Sequence, residues 1–451
     1  YKKMSKKIYI RTFGCQMNVR DSEFVLGLML KHGFAQAQVA KKADVILFNS
    51  CSVRKHAEDR LFSNIAELAP HKKKKPELVI GLMGCTAQYH KEDILKKAPL
   101  VDLVCGPGDE GNLPALIKDV LEHRCPVIAT ANVDTPRIEQ CPEYRESHFK
   151  ALVSIGEGCD NYCAYCVVPY VRGRERSRGE KDIIREVKDL ADRGFKEITL
   201  LGQNVNSYGR NTQYAIRDTR YERQTTGFIS LLTRLNAIKG IERIRFMTSH
   251  PKDASVELFK AMRDLEHVCE HLHLPIQAGS DRILKMMNRG YTAKHYLELI
   301  EDYRKMVPGG SVTTDIIVGF PTETEADFEE TLRVVKEAGF DSAYMFKYSP
   351  RPPAKSAQLK DDVPAEVKQK RLVRLLNLQC AISKKRNEAL RGKIVEVLVD
   401  DMHRKDRGVL TGRTRTNKVA VCKGGKELIG SFVKVQINDV SPHALKGRIV
   451  V

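Results

Sequence analysis

The sequence predicts an α/β multidomain chain with an N-terminal doubly wound α/β domain, a central partial (β/α)6 barrel and a small all-β barrel at the C-terminal end. Three observations predict it. Short β-rich apolar runs alternate with amphipathic stretches over residues 6–125, and the same alternation resumes over residues 145–380. From residue 384 to 451 helical patterning gives way to short strands joined by Gly and Asp turns. At 451 residues the chain has length for two or three sizeable cores.

In the first region KIYIRTF, DVILFNS and ELVIGLM read as strands, and DSEFVLGLMLKHGF and RKHAEDRLFSNIAELA read as the helices that cross between them. That pattern predicts a parallel sheet. Each strand runs into a cysteine: Cys15 in TFGC, Cys51 in FNSC and Cys85 in LMGC. Open parallel sheets gather their ligands at the carboxyl ends of strands, so residues over thirty positions apart could meet at one edge. Taken singly, each is a good small core residue. Three at the same place in consecutive βα units read as a shared site.

Residues 131–147, ANVDTPRIEQCPEYRES, carry two prolines and no periodicity and are expected to be a linker. Six further units follow: FKALVSIGEG, EITLLGQNV, RIRFMTS, EHLHLPIQ, VTTDIIVGF and AYMFKYS. Six are too few for a closed eight-stranded barrel, so an open barrel is expected, with its working face at the carboxyl ends of the strands. A polar insertion at residues 209–227 follows the second of these strands. Beyond the helix VKQKRLVRLLNLQCAISKKRNEAL, the strands KIVEVLVDD, GVLTGRTRTNKVAVC and SFVKVQINDV predict the final barrel. From Lys384 onward sixteen Lys or Arg stand against seven Asp or Glu, nearly half of the net charge of +19. Such charge is a solvated surface or a nucleic-acid footprint, and a small barrel of this type favours RNA contact.

No run of eighteen apolar residues occurs, so no membrane span is expected. Twelve cysteines without a secretory segment point to reduced thiols in the cytoplasm, where clustered Cys bind metal more often than they form disulfides. Near the middle stands GEGCDNYCAYCVVP, which places Cys159, Cys163 and Cys166 within eight residues. A structural zinc wants four ligands and usually pairs two CxxC units, and no second unit lies nearby. A disulfide reading fails on the odd count. Three thiolates in one loop suit a four-iron cluster with one iron left open for a small chelating ligand. Cys105, Cys125, Cys141, Cys269, Cys380 and Cys422 lack partners at useful spacing and are expected to be free thiols.

This loop resembles the signature of the radical S-adenosylmethionine enzymes, CxxxCxxC with an aromatic residue before the last cysteine, here Tyr165. The resemblance implies that S-adenosylmethionine chelates the open iron and is cleaved to a 5′-deoxyadenosyl radical. The wider set TFGCQMNVRDSE, FNSCSVRKHAEDR, GCTAQ, GCDNYCAYCVVPYVRGRERSR, IIVGFPTET and YSPR resembles the methylthiotransferases along nearly the whole chain. That likeness implies two [4Fe-4S] clusters, the second on Cys15, Cys51 and Cys85, and a C-terminal barrel of the RNA-binding TRAM type. TFGCQMN, NSCSVR and VRGRERSR look most like the members that act on N6-dimethylallyl-adenosine beside the tRNA anticodon. Relatives acting on threonylcarbamoyl-adenosine or on a ribosomal-protein aspartate are the alternatives, and an RNA-binding protein with a structural metal is the alternative outside enzymes.

The resemblance further implies one S-adenosylmethionine as methyl donor to a sulfur on the N-terminal cluster and a second as radical source for C2 of the adenine at position 37. It implies the anticodon stem-loop of tRNA and an electron donor such as flavodoxin or ferredoxin as partners. The sulfur source stays open, and a monomer is expected. Strand ends facing the mouth would hold the cosubstrate: Gln203, Ser249, Gln277, Asp315 and Gly319. Arg172, Arg174, Arg176 and Arg178 would guide tRNA phosphates or the cosubstrate carboxylate, and Arg413, Arg415 and Lys418 would contact RNA from the last barrel. One departure stands out: the family commonly has Gly-Thr after Ser-Pro-Arg-Pro, whereas this chain reads YSPRPPAKSAQ, which predicts a differently shaped loop.

Overall fold

A computed structural model describes residues 5–52, 55–130, 141–210, 227–403, 406 and 408–450, with the side chains of 55–57 left aside. The 131–147 linker therefore lies partly, and the 209–227 insertion almost wholly, outside the described residues.

The first sheet holds β1 (Lys7–Phe13), β2 (Ala35–Gln36), β3 (Val45–Ser50), β4 (Val79–Met83), β5 (Leu103–Cys105) and β6 (Val127–Ala129) in the order β2-β1-β3-β4-β5-β6, all parallel. β3 and β4 are buried along their whole length, as strands covered by helices on both faces must be. Ile46, Phe48, Ile80 and Leu82 point into one apolar layer, and Val45, Leu47, Val79 and Met83 into the other. β6 lies beyond the boundary expected at residue 125. It is only three residues long and follows Pro126, too short to register as a period.

Eight more strands follow: β7 (Lys150–Ser154), β8 (Gly156–Glu157), β9 (Arg176–Ser177), β10 (Glu197–Leu201), β11 (Arg243–Phe246), β12 (His271–His273), β13 (Ser311–Val318) and β14 (Ser342–Lys347). β7, β10 and β11 form one parallel sheet and β12, β13 and β14 another, and a parallel bridge between Ile244 and Val268 joins them into a six-stranded open barrel. β8 and β9 form a small antiparallel pair beside the loop of the three close cysteines. One apolar cluster lines the space between strands and outer helices, from Ala151 to Leu375. His271 and His273 are buried on β12 and share the Thr313 hydroxyl at 2.9 Å each.

The helix Ala365–Glu388 leads into β15 (Ile394–Met402), β16 (Val409–Thr414), β17 (Val419–Lys423), β18 (Phe432–Val440) and β19 (Leu445–Val450), a closed barrel in the order β15-β16-β17-β19-β18. This barrel sits against the amino ends of the central strands. Arg243 on β11 donates to the Arg413 carbonyl at 2.8 Å, and Arg245 donates to the carbonyls of Arg415 at 2.8 Å and Thr414 at 2.7 Å. The Ser311 hydroxyl at the start of β13 donates to the Thr416 carbonyl at 2.7 Å. The β16–β17 turn thus floors the central barrel, and the carboxyl ends of its strands face the other way.

Candidate active site

The register of the first sheet brings distant cysteines level. Phe13 pairs with Ser50 and Asn49 with Met83, so the chain leaves β1, β3 and β4 at one edge. Cys15 caps the helix Gln16–Lys31, Cys51 follows β3, and Cys85 opens the helix Cys85–His90. The strand order reverses between β1 and β3, the crevice where open α/β sheets place their ligands. A buried amide pair braces this edge. Asn18 donates to the Asn49 side-chain oxygen at 2.8 Å, Asn49 returns a bond to the Asn18 carbonyl at 2.9 Å, and the Cys15 thiol donates to Asn18 at 3.2 Å. Gly14 has no room for a side chain, because a Cβ there would stand 2.9 Å from the Cys51 Cβ. Gly84 has φ +85° and abuts Asn49 Oδ1, which only glycine tolerates. A hydrogen bond with Cys51, aided by the nearby Arg172 charge, holds the Cys15 thiol down to about 6. Burial pushes Cys85 up.

The second set comes from one loop after β7 and β8. Gly158, at φ +75°, packs against the carbonyl of Arg174, and the Cys159 amide donates to the Gly173 carbonyl at 3.2 Å. Ala164 N–H reaches the Met287 carbonyl at 2.9 Å, and its own carbonyl accepts from Ser356 at 2.8 Å. Arg289, 4% exposed, donates to Cys163 Sγ at 3.2 Å and to the Pro275 carbonyl at 2.8 Å. Burial pushes Cys159 up to about 12 and Cys166 higher still.

One side chain joins the segments that carry the two sets. Arg172 ends the helix Val168–Arg172, six residues after Cys166, and is 2% exposed. Its Nε donates to Cys85 Sγ at 3.2 Å and its Nη2 to Asp21 at 2.7 Å, both in the N-terminal domain. Two further buried contacts hold the domains together. Arg145 reaches Glu23 at 3.1 Å and also Glu186, and Arg351 pairs with Glu58, which His90 meets from the other side.

Among the described residues no three His, Cys, Asp or Glu side chains close on a point that one metal ion would fill. A four-iron cluster asks for a wider arrangement, since each thiolate binds a different iron. Both sets are thiol-only, a donor choice that suits iron–sulfur chemistry and not a hard cation. Gln203 Oε1 and Ser249 Oγ, at the barrel mouth, are buried without a protein partner, so a polar ligand there would satisfy them. The residues fit the groups the sequence implies.

Comparison with known proteins bears on the whole chain. Residues 153–335 match the Radical SAM superfamily, residues 7–106 the family described as Uncharacterized protein family UPF0004, and residues 388–450 the TRAM domain. The tRNA-2-methylthio-N(6)-dimethylallyladenosine synthase of Thermoanaerobacter sp. (strain X514) is 48% identical over 444 residues, covering 98% of this chain and 92% of that protein. The protein of the same name from Moorella thermoacetica is 45% identical over 450 residues, 99% of each. The chain belongs to the tRNA-2-methylthio-N(6)-dimethylallyladenosine synthase family. Among solved structures, the radical S-adenosylmethionine methyltransferase TsrM from Kitasatospora setae superimposes with a TM-score of 0.53 at 10% identity, over 78% of this chain and 75% of that one. The cobalamin-dependent radical enzyme OxsB gives 0.52 at 13% identity, over 83% of this chain and 56% of that one. These two likenesses speak to the fold alone.

For a member of this synthase family, the mouth residues are placed unevenly. Gln203 lines a small cavity with Gly156, Gly158 and Glu175, beside the cysteine loop. Ser249 and Gln277 are buried after β11 and β12, and Asp315 stands half-exposed within β13, 3.7 Å from His273. Gly319, at φ +72°, lies against Lys368 and gives its N–H to Glu323, so its role is to let two elements approach.

The structure sets most of the arginines expected to guide tRNA phosphates or the cosubstrate carboxylate, or to contact RNA, against protein partners. Arg172, Arg176 and Arg178 are buried, and Arg178 binds Glu186, the Ser154 carbonyl and Cys141 Sγ. Arg174 is exposed but held by Asp160 at 2.7 Å. Arg415 is forked onto Glu270, and Lys418 meets Asp341 at 2.6 Å, both in the floor of the central barrel. Arg413 alone of that turn is exposed, with its guanidinium on the Asn417 carbonyl at 3.0 Å. A run of basic residues looks the same in sequence whether water or carboxylates surround it.

Sequence reasoning also passed over Asp21, Glu58, Arg289 and Arg351. Asp21, Glu58 and Arg351 stand inside the quoted motifs TFGCQMNVRDSE, FNSCSVRKHAEDR and YSPR, and a charged residue within a motif was the available signal. Arg289 had none. The departing YSPRPPAKSAQ segment packs on the cysteine loop through Ser356, whose hydroxyl also meets Tyr348 at 2.9 Å.

Proposed function

We propose that this chain inserts a methylthio group at C2 of N6-dimethylallyl-adenosine at position 37 of tRNA, consuming two molecules of S-adenosylmethionine. The observation that carries the reading is Arg172, which stands six residues after Cys166 and bonds Cys85 Sγ and Asp21, so that the segment with one three-thiol set is joined to the edge with the other. When bound, two [4Fe-4S] clusters supply the electron that cleaves the cosubstrate and the open iron that holds sulfur. The chain's own residues do the rest. Cys159, Cys163 and Cys166 would hold one cluster, and Cys15, Cys51 and Cys85 would hold the other. Gln203, Ser249 and Gln277 orient the cosubstrate, and the docked N-terminal domain keeps water from the radical. The adenine must leave its stack to reach between them.

With Arg415 and Lys418 engaged in docking, tRNA contact falls to the outward face of the last barrel, where Lys423, Lys434, Lys446 and Arg448 are exposed on β17, β18 and β19. A low-potential donor such as flavodoxin or ferredoxin delivers the electron, and the chain works as a cytoplasmic monomer. No helix among the described residues is long and apolar enough to cross a membrane. The test is incubation of reconstituted protein with S-adenosylmethionine, dithionite and prenylated or threonylcarbamoylated tRNA, followed by digestion to nucleosides. The expected product is the methylthio form of the prenylated nucleoside alone. Modification of the threonylcarbamoyl substrate, or of a ribosomal protein, contradicts the reading.

A further inference from the structure

Arg172 is set apart from the other buried arginines by what it joins. Its backbone belongs to the segment that carries Cys159, Cys163 and Cys166, and its guanidinium reaches the edge that carries Cys15, Cys51 and Cys85. Asp21, fully buried on the helix that Cys15 caps, takes one end of the fork at 2.7 Å, and Cys85 Sγ takes Nε at 3.2 Å. Glu157, next to the same cysteine loop, lies 3.7 Å from the remaining nitrogen. The helices Cys85–His90 and Val168–Arg172 pack directly on one another, so the contact is a joint between domains and not a reaching side chain. Arg289 makes the matching bond, 3.2 Å to Cys163 Sγ, but from within the central barrel. Among the described residues each thiol set thus has a buried guanidinium on one sulfur, and that of Arg172 crosses the domain boundary.

We propose that Arg172 is a positioning residue that fixes the N-terminal cysteine edge to the segment following the second cysteine loop and raises the reduction potential of the cluster on that edge through its N–H bond and charge on Cys85. The inference rests on the reading that Cys15, Cys51 and Cys85 hold a cluster. Hydrogen bonds to cluster sulfurs and nearby positive charge favour the more negative, reduced state. Asp21 fixes the fork and moderates its charge. A lysine keeps the charge and loses the planar two-pronged geometry.

The experiment uses the full chain with Cys159, Cys163 and Cys166 all changed to Ala, so that iron reports on the N-terminal set alone, and titrates it against dithionite by electron paramagnetic resonance. Arg172→Gln is expected to lower the potential by about 59 mV, a tenfold change in the oxidised-to-reduced ratio at fixed poise for one electron. Arg172→Lys should lower it by less, and Asp21→Asn should raise it. Amide exchange in Gln16–Lys31 should quicken in Arg172→Gln. If Arg172→Gln does not fold, the Lys and Asn variants carry the test through their opposite signs. An unmoved potential in all three, with iron bound, overturns the proposal and leaves the two-cluster reading standing. No iron in the parent with Arg172 intact contradicts that reading, and the proposal falls with it.

Discussion

Two sets of three cysteines sit on either side of one interface, and they are built in opposite ways. Cys159, Cys163 and Cys166 come from a single loop, where eight consecutive positions set their spacing and Gly158, at φ +75°, turns the chain into it. Cys15, Cys51 and Cys85 come from three strands, and only the parallel register of β1, β3 and β4 makes them neighbours. A local set can be read from spacing and survives as long as its loop does. A set assembled by topology depends on the whole sheet and on the packing that holds its edge. The two should therefore fail differently.

The largest expected difference is chemical. Cys159→Ala should abolish 5′-deoxyadenosine formation altogether, whereas Cys51→Ala should leave that cleavage and stop methylthio insertion. Chromatography of both products from the same reaction decides it, and equal loss in the two variants breaks the division of labour. Next come the glycines that make each set possible. Gly84→Ala places a side chain at φ +85° against the Asn49 amide, so it should cost about 1–3 kcal/mol or more in thermal unfolding and deplete iron from the N-terminal set first. Gly158→Ala, at φ +75° against a carbonyl, should deplete the loop set instead.

A smaller effect concerns what holds the two sets together. Burial opposes ionisation of Glu58, yet hydrogen bonds from His90 and Arg351 bring it from 4.5 down to about 2. A carboxylate depressed on folding stabilises the closed arrangement above its unfolded value, so this contribution is present above about pH 4.5 and lost as pH falls toward 2. Amide exchange across the interface at stepped pH should show that dependence, and Glu58→Gln should flatten it. The smallest effect lies farthest from either set. Neutralising Lys446 and Arg448 together should weaken tRNA binding and make the salt dependence shallower, by about one in the log–log slope for each phosphate no longer neutralised. An unchanged slope removes the outward face of β19 from the binding surface.

The fold was legible where periodicity was long. The βα alternation, the six-unit open barrel and the final small barrel all follow from patterns that each element's burial requires. β2, β5 and β6, of two or three residues and without a longer apolar run around them, were not read. At the site, the cysteines could be singled out because their position in the chain, at strand ends or at fixed spacing, is itself the signal. Charged residues carry no such mark. Arg172 and Arg178 look like Arg174 in sequence, which records the charge but not the carboxylate or thiol that buries it. Arg415 and Lys418 raise the domain's charge, as RNA-binding residues would, but they spend it on Glu270 and Asp341 of the neighbouring domain.

Iron analysis with Mössbauer spectroscopy on three reconstituted proteins tests the central claim most directly: the parent chain, the variant lacking Cys15, Cys51 and Cys85, and the variant lacking Cys159, Cys163 and Cys166. Two four-iron clusters predict roughly eight irons in the parent and roughly four in each variant. Roughly four in the parent, unchanged when the first three cysteines are removed, would contradict it.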